Sequence, residues 1–278
     1  VWLPRYEQAR AAASEVIFAT QMRCISDDQQ FAYCSKLVMG LTQLRANVMQ
    51  ADIFQLAVWD GVRPSGIAGT AADVALWEAQ GGASKIVPVP RDRPPLDSGS
   101  VMGAHSKANW ALRSMLFADF AGFSRLDEDR LSQFLSVVMG RIATVLDGHG
   151  DDVLSRNSWG DAIFAVFNSP SKAAQIAMEI QSELTPDLLQ SIGLPSEGGM
   201  RISLHHGPIF DHFDAVKGGQ TFYGTEVTVA ARIEPRVPVG AIYTTQPFAA
   251  MMEAGRNDYH FEYVGKMDLA KNYGVRTL

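Results

Sequence analysis

The chain predicts a mixed fold in two parts. The first is an N-terminal Rossmann-like α/β fragment. The second is a C-terminal α+β unit, a ferredoxin-like βαββαβ core with an added helix and hairpin. Three observations predict this. The stretch PVPRDRPPLDSGSVMGAHSKAN, Pro88 to Asn109, is rich in Pro, Gly, Ser and charge and has no apolar period, which is linker composition. Ahead of it, a strand, a glycine loop, a helix and a strand follow one another, which is a βαβ unit with parallel pairing. Behind it, the patterns run β-α-β-β-α-β, the split βαβ arrangement. The expected division is residues 1–92, a linker over 93–111, and residues 112–278.

In the first part, RYEQARAAASEVIFATQM and DDQQFAYCSKLVMGLTQLRANVMQA suit helices. The second helix places Phe31, Cys34, Leu37, Val38 and Leu41 on one stripe. DIFQLAVWDG, Asp52 to Gly61, reads as a strand, GIAGTAADVALWEAQGG as a glycine loop entering a helix, and KIVPVP as a second strand. Such a loop can turn backbone N–H groups toward a phosphate, or it can simply need small residues to turn. About 90 residues is short for a whole Rossmann-like domain, so early strands are expected to be missing.

In the second part, SMLFADF is a strand, and DEDRLSQFLSVVMGRIATVLDG is a helix with Leu131, Phe134, Leu135, Val138, Ile142 and Val145 on one face. DVLSRNSWGDAIFAVF reads as two strands joined at Trp159-Gly160-Asp161. SKAAQIAMEIQSEL is a helix and MRISLHHGPIF a fourth strand. A helix in EVTVAARIE, a strand in GAIYTT, a helix in PFAAMMEAG and a terminal hairpin complete the chain.

The composition narrows the function. The net charge of -6, with no basic run, argues against a nucleic-acid surface. No apolar run reaches the roughly 18 residues of a membrane span, so no membrane partner is expected. Two cysteines, Cys24 and Cys34, without metal-type spacing suggest a reducing, cytoplasmic setting. The start, VWLPRYEQAR, has neither a signal-peptide core nor an initiator methionine, and reads as a piece of a longer chain.

Two aspartates stand out. Asp119 ends the first strand of the second part, and Asp161 sits at the tip of the next hairpin. In a ferredoxin-like sheet these strands are neighbours, so both carboxylates can face one point. Hard divalent cations take such oxygen ligands, and two metals bridged by carboxylates form the clamp for displacement at phosphorus. The bend Phe120-Ala121-Gly122-Phe123 can offer backbone N–H groups to phosphate. The alternative is two unrelated turn aspartates. Thr228 and Arg232, four apart, share a helix face. An arginine there can neutralise charge on a transferring phosphoryl group or make a surface ion pair. Lys271 precedes a turn in the last hairpin, either to hold a terminal phosphate or as a solvated turn lysine. His205 and His206 read as core or strand-end histidines, and Asp147 to Asp152 as a solvated turn.

Taken together, MLFADFAGFSRL, NSWGDAIFAVF, FYGTEVTVAARIEP and GKMDLAKNYG resemble, in order and spacing, class III nucleotidyl cyclase catalytic domains of the bacterial type with a WGD hairpin and an AARIEP helix. The stretch AVWDG with GIAGTA resembles part of a SLOG-type Rossmann-like domain, which implies nucleotide sensing. The cyclase resemblance implies attack of a ribose 3′-hydroxyl on the α-phosphate of a nucleoside triphosphate, giving a 3′,5′-cyclic nucleotide and pyrophosphate for signalling. It implies two Mg²⁺ or Mn²⁺ ions held by Asp119, Asp161 and the Phe120 carbonyl, phosphates at Ala121, Gly122 and Phe123, Arg232 aided by Thr228 at the transition state, and Lys271 on the triphosphate. It also implies a homodimer in which each site takes its metals from one subunit and its arginine from the other.

Three positions depart from adenylate cyclases. The base-reading lysine and aspartate are here Asn157 and Thr221, and the helper asparagine is Thr228. Asparagine and threonine each donate or accept, so the pocket does not enforce adenine. ATP is expected first and a pyrimidine triphosphate, as in anti-phage signalling cyclases, second. A non-catalytic nucleotide sensor is the other reading. A diguanylate-forming enzyme would call for a GGDEF-type hairpin, and the hairpin here is SWGDA.

Overall fold

A computed structural model describes residues 2–20, 28–63, 66–90, 109–196, 198–255 and 258–278. The chain begins with α1 (Trp2–Ala12), which buries none of its residues. The predicted first helix extends further, but the chain leaves the helix after Ala12. The following Val16, Ile17 and Phe18 are poor helix formers and have no packing surface to compensate, since all three are exposed. Next comes α2 (Asp28–Met49), whose buried residues are Tyr33, Leu37, Met39, Gly40 and Ala46. The expected stripe is thus out of phase: Phe31, Cys34 and Val38 are exposed and Leu37 alone of the five is buried. What α2 packs on explains this. A Cβ on Gly40 would fall 1.8 Å from the Ala250 carbonyl oxygen, so two helix backbones meet there.

The βαβ expectation is met by β1 (Phe54–Trp59), α3 (Thr70–Ala79) and β2 (Ala83–Pro88). β1 and β2 pair in parallel, Phe54 opposite Ala83 and Val58 opposite Val87. The expected linker lies outside the described residues up to 108. Its last residues, Asn109 to Ala111, already belong to β3 (Asn109–Phe120).

After β3 come α4 (Glu128–Gln133), a π-helical stretch at Phe134–Val138 and α5 (Met139–Gly148). The π stretch resets the phase, so Phe134, Val138, Ile142 and Leu146 form the buried line, whereas Leu135 is exposed. The hairpin β4 (Val153–Trp159) and β5 (Ala162–Phe167) follows, then α6 (Pro170–Glu183), a short α7 (Pro186–Ser191), β6 (Met200–Asp214) and β7 (Gly219–Tyr223). The chain ends with α8 (Thr225–Ile233), β8 (Ile242–Thr244), α9 (Gln246–Ala254) and the hairpin β9 (Lys266–Asp268) with β10 (Val275–Thr277).

The sheet order is β4-β5-β3-β6-β7, with β8 parallel to β6. The first four are the ferredoxin-like order expected from the sequence. The ribbon β6–β7 and the helix α7 were not read in it. Strand alternation sends Leu116, Ala118 and Phe120 into the main core with Phe134, Phe167, Ile176 and Phe248. Met115 and Phe117 face the other way, with Val166, Ile209, Phe222 and Ala230 of α8. α2 lies outside α9 on the main-core side, and the Tyr33 hydroxyl donates to the His206 carbonyl on β6.

Candidate active site

Register places the two aspartates. Ala118 pairs with Ile163 across β3 and β5, so Asp119 ends β3 beside the turn that holds Asp161. The carboxyls of Asp119 and Asp161 lie close enough to interact, and the backbone of Phe120 and of Asp161 itself favours the ionised Asp161. Burial, and then the neighbouring Asp119, push the Asp161 carboxyl up to about 6. Two carboxyls this close share a proton or need a cation.

A cation is already beside them. The Arg201 guanidinium, on β6 opposite Asp119, bonds the Asp119 carboxylate. Its Nε lies 3.0 Å from Glu234 Oε1, without hydrogen-bond alignment. Burial lifts Glu234 to about 7, against the pull of Arg201 and with Asp119 and Asp161 adding to the rise. Arg201 and Glu234 were missed in the sequence. The signal for Arg201 is its position directly before the apolar strand run ISL, where an exposed strand-start arginine and a site residue look alike.

The donor set fits hard divalent cations: two carboxylates converge, and a guanidinium occupies the flank where positive charge is required. Among the described residues no group of three or more His, Cys, Asp or Glu gathers to hold a metal, so the pair would rely on backbone and substrate oxygens for the rest.

The bend beyond β3 is partly committed to the fold. The Ala121 N–H donates to the Gly199 carbonyl, so it is not free for phosphate in this conformation. Gly122 turns left-handed (φ 94°), and Phe123 opens a single helical turn. The Phe123 ring packs on Phe134 at 5.1 Å and against Gly160, tying the bend to the Asp161 turn.

Arg232 and Thr228 lie on α8 beside its buried stripe of Glu226, Val229, Ala230 and Ile233. The Arg232 Nε is buried with no hydrogen-bond partner among the described residues. Arg232 makes no ion pair with Asp119 or Asp161 in this chain. Lys271 sits in the loop Ala270–Asn272 between β9 and β10, which packs against α8. Its backbone is left-handed (φ 59°, ψ 36°). Asn157 lies on β4 opposite Phe164, and Thr221 on β7 opposite His212. β4 and β7 are at opposite ends of the sheet order, yet their Cα atoms approach within 8 Å, so the sheet curls to bring the strands of these two residues together. Arg232 and Lys271 thus stand on α8 and its neighbouring loop, and neither forms an ion pair with Asp119 or Asp161 among the described residues.

A sequence model of the family described as the adenylate and guanylate cyclase catalytic domain matches residues 109–277. No curated protein sequence matches the chain. Solved structures share the fold. The adenylyl cyclase CyaB from P. aeruginosa is 14% identical, covers 62% of this chain and 94% of its own, and gives a TM-score of 0.54. The guanylyl cyclase Cya2 is 19% identical over 61% of this chain and 92% of its own, at 0.50. The guanylate cyclase domain of RhGC from Catenaria anguillulae, solved with GTP, is 18% identical over 61% of this chain and 96% of its own, also at 0.50. With the match covering more than half of its length, the chain belongs to the adenylate and guanylate cyclase catalytic-domain family.

Proposed function

We propose that residues 112–278 form the catalytic domain of a nucleotidyl cyclase, and that residues 1–92 form a Rossmann-like regulatory unit in a cytoplasmic signalling protein. The reaction is in-line attack of the ribose 3′-hydroxyl on the α-phosphate of a nucleoside triphosphate, ATP favoured, giving a 3′,5′-cyclic nucleotide and pyrophosphate. The observation that carries the reading is the convergence of Asp119 and Asp161 beside the Phe120 backbone, with Arg201 as their present counter-charge.

Asp119, Asp161 and the Phe120 carbonyl would hold Mg²⁺ or Mn²⁺, two per site. When bound, the ions neutralise phosphate charge and activate the attacking hydroxyl. The chain's own groups do the rest. With cations held by the aspartates, Arg201, beside Glu234, would be available to phosphate oxygens. Gly122 and Phe123 close the phosphate side of the bend. Arg232, helped by Thr228, meets charge that grows on the α-phosphate, and Lys271 meets the terminal phosphates as a point charge. The lack of an ion pair between Arg232 and either Asp119 or Asp161 within one chain is what a homodimer calls for, with each site taking Arg232 from the partner.

Base choice falls to Asn157 and Thr221. Both can donate or accept, which favours a relaxed pocket and keeps UTP or CTP as the second reading. The test is to incubate the purified chain with ATP, GTP, CTP or UTP and Mn²⁺ or Mg²⁺ and to resolve cyclic products by chromatography. A cyclic nucleotide from at least one, abolished by Asp119→Ala with an unchanged circular dichroism spectrum, supports the reading. No product from any of the four by an intact dimer refutes it, and tight triphosphate binding without turnover would mark a sensor instead.

A further inference from the structure

Helix α8 buries the stripe 226, 229, 230, 233 against the sheet. Helical periodicity asks for an apolar residue at each of these positions. The first is a glutamate, and Glu226 is 5% exposed. A carboxylate is tolerated there only if its oxygens are bonded, and both are. Oε2 lies 2.8 Å from His205 Nε2, and Oε1 accepts the Thr20 hydroxyl at 2.7 Å. The other His205 nitrogen lies 2.7 Å from the Thr245 hydroxyl, and Thr245 caps α9. Gly207 makes the room, since a Cβ there would stand 2.9 Å from the Glu226 Cγ. The bonds and the positive charge outweigh burial, which acts alone to raise the carboxyl, so Glu226 is held below the usual carboxylate range by His205 and Thr20, with Arg276 adding to the effect.

One of these partners comes from far away. Thr20 belongs to the segment ahead of α2, 206 residues upstream. The same segment leads into α2, whose Tyr33 bonds the carbonyl of His206, the residue after His205. The N-terminal part therefore grips two consecutive residues of β6, one through Glu226 and one directly. Arg232 sits six residues beyond Glu226 on the same helix, about 9 Å along its axis at 1.5 Å per residue. A small tilt of the first turn moves the guanidinium.

We propose that Glu226 is a positioning residue for Arg232 and Thr228, and that Thr20, donating to it from the segment ahead of α2, makes turnover depend on how that segment is docked. The inference rests on the cyclase reading for its effect on rate. Loss of the Thr20 hydroxyl leaves Glu226 Oε1 unpaired beneath the helix. Water or a turned carboxylate then takes its place, and α8 loses its fixed first turn. Arg232 acts on charge that develops in the transition state, so kcat falls while KM, set by the carboxylate half and Lys271, stays.

Glu226→Ala is a poor test because it strands buried His205 and threatens folding. Thr20 is only half-buried, and its variants avoid that. The experiment compares the full chain with Thr20→Val, Thr20→Ser and, as a control on an exposed face of α2, Thr42→Val. Steady-state kinetics and hydrogen exchange of α8 and α6 amides are measured on each. Thr20→Val should lower kcat about ten-fold with KM within about two-fold, the order expected for a lost hydrogen bond to a charged group. It should also speed α8 exchange without changing α6. Thr20→Ser should restore both, and Thr42→Val should match the wild type. Unchanged kcat and α8 exchange in Thr20→Val overturn the proposal, as does a general loss of stability that Thr20→Ser fails to rescue. An inactive wild type overturns the cyclase reading instead, and the exchange of α8 then decides the clamp by itself.

Discussion

Replacing Asp161 by asparagine should stabilise the metal-free protein while ending its activity. Burial and Asp119 raise this carboxyl from 3.8 to about 6. A carboxyl whose folded pKa lies above its unfolded value costs stability once ionised. The folded state binds more protons between pH 3.8 and 6, so the stability it contributes at low pH is lost as pH rises through that window. At pH 7 the full rise is worth about 3 kcal/mol. The group is partly exposed, and solvent screening reduces this to about 1–2 kcal/mol. Asp161→Asn removes the ionisation. Its melting temperature without metal at pH 7 should therefore exceed that of the wild type by about 2–6 °C, and the two should converge near pH 4. Added Mn²⁺ should raise the wild-type melting temperature, by linkage to the folded state, and leave the variant unmoved. Differential scanning calorimetry with and without Mn²⁺ at both pH values reads all of this. A variant less stable than wild type without metal, or one that still responds to Mn²⁺, would refute the reasoning that the two acids form a cation site.

Three further outcomes follow from particular residues. Gly40→Val puts side-chain atoms where the Ala250 carbonyl already lies, so α2 should lift from α9 and become about ten-fold more susceptible to limited proteolysis, whereas α6 stays protected. Lys271 holds a left-handed backbone that costs a non-glycine residue about 1 kcal/mol. Lys271→Gly should thus keep or slightly raise the melting temperature while raising KM for triphosphate, and a fall in stability with unchanged KM would make the lysine structural. His206 is buried, with its Nδ1 2.9 Å from the Ser114 hydroxyl. Burial, with His205, Lys36 and Arg113 nearby, lowers its pKa from 6.5 to about 3. Its contribution is complete above pH 6.5 and falls by about 1.4 kcal/mol per pH unit below that, so His206→Gln should flatten the acid limb of a urea-unfolding profile between pH 6 and pH 4.

What was legible in the sequence is what local pattern controls. The parallel β1–β2 pair, the β4–β5 hairpin with Asp161 at its turn and α8 all follow from period and turn residues. Asp119 and Asp161 could be brought together on paper because the ferredoxin-like order makes β3 and β5 neighbours. What escaped depends on contacts distant in sequence. The phase of α2 is set by the Gly40–Ala250 approach, and that of α5 by a π stretch which a fixed period cannot anticipate. Arg201 and Glu234 reveal themselves only when β6 lies beside β3 and the end of α8 turns toward Asp119. Glu226 broke the helical pattern in plain view, but its partner Thr20 lies in a stretch that reads as helix and is not.

The most direct measurement mixes two inactive variants. Asp119→Ala lacks the carboxylate half and Arg232→Ala the cationic half. If each site draws one half from each subunit, equal mixing after subunit exchange should leave about half of the dimers hybrid, each with one intact site, and restore about a quarter of wild-type turnover. Each variant alone should be inactive. If the mixture stays as inactive as its components while hybrid dimers are seen by native mass spectrometry, the shared-site account is contradicted.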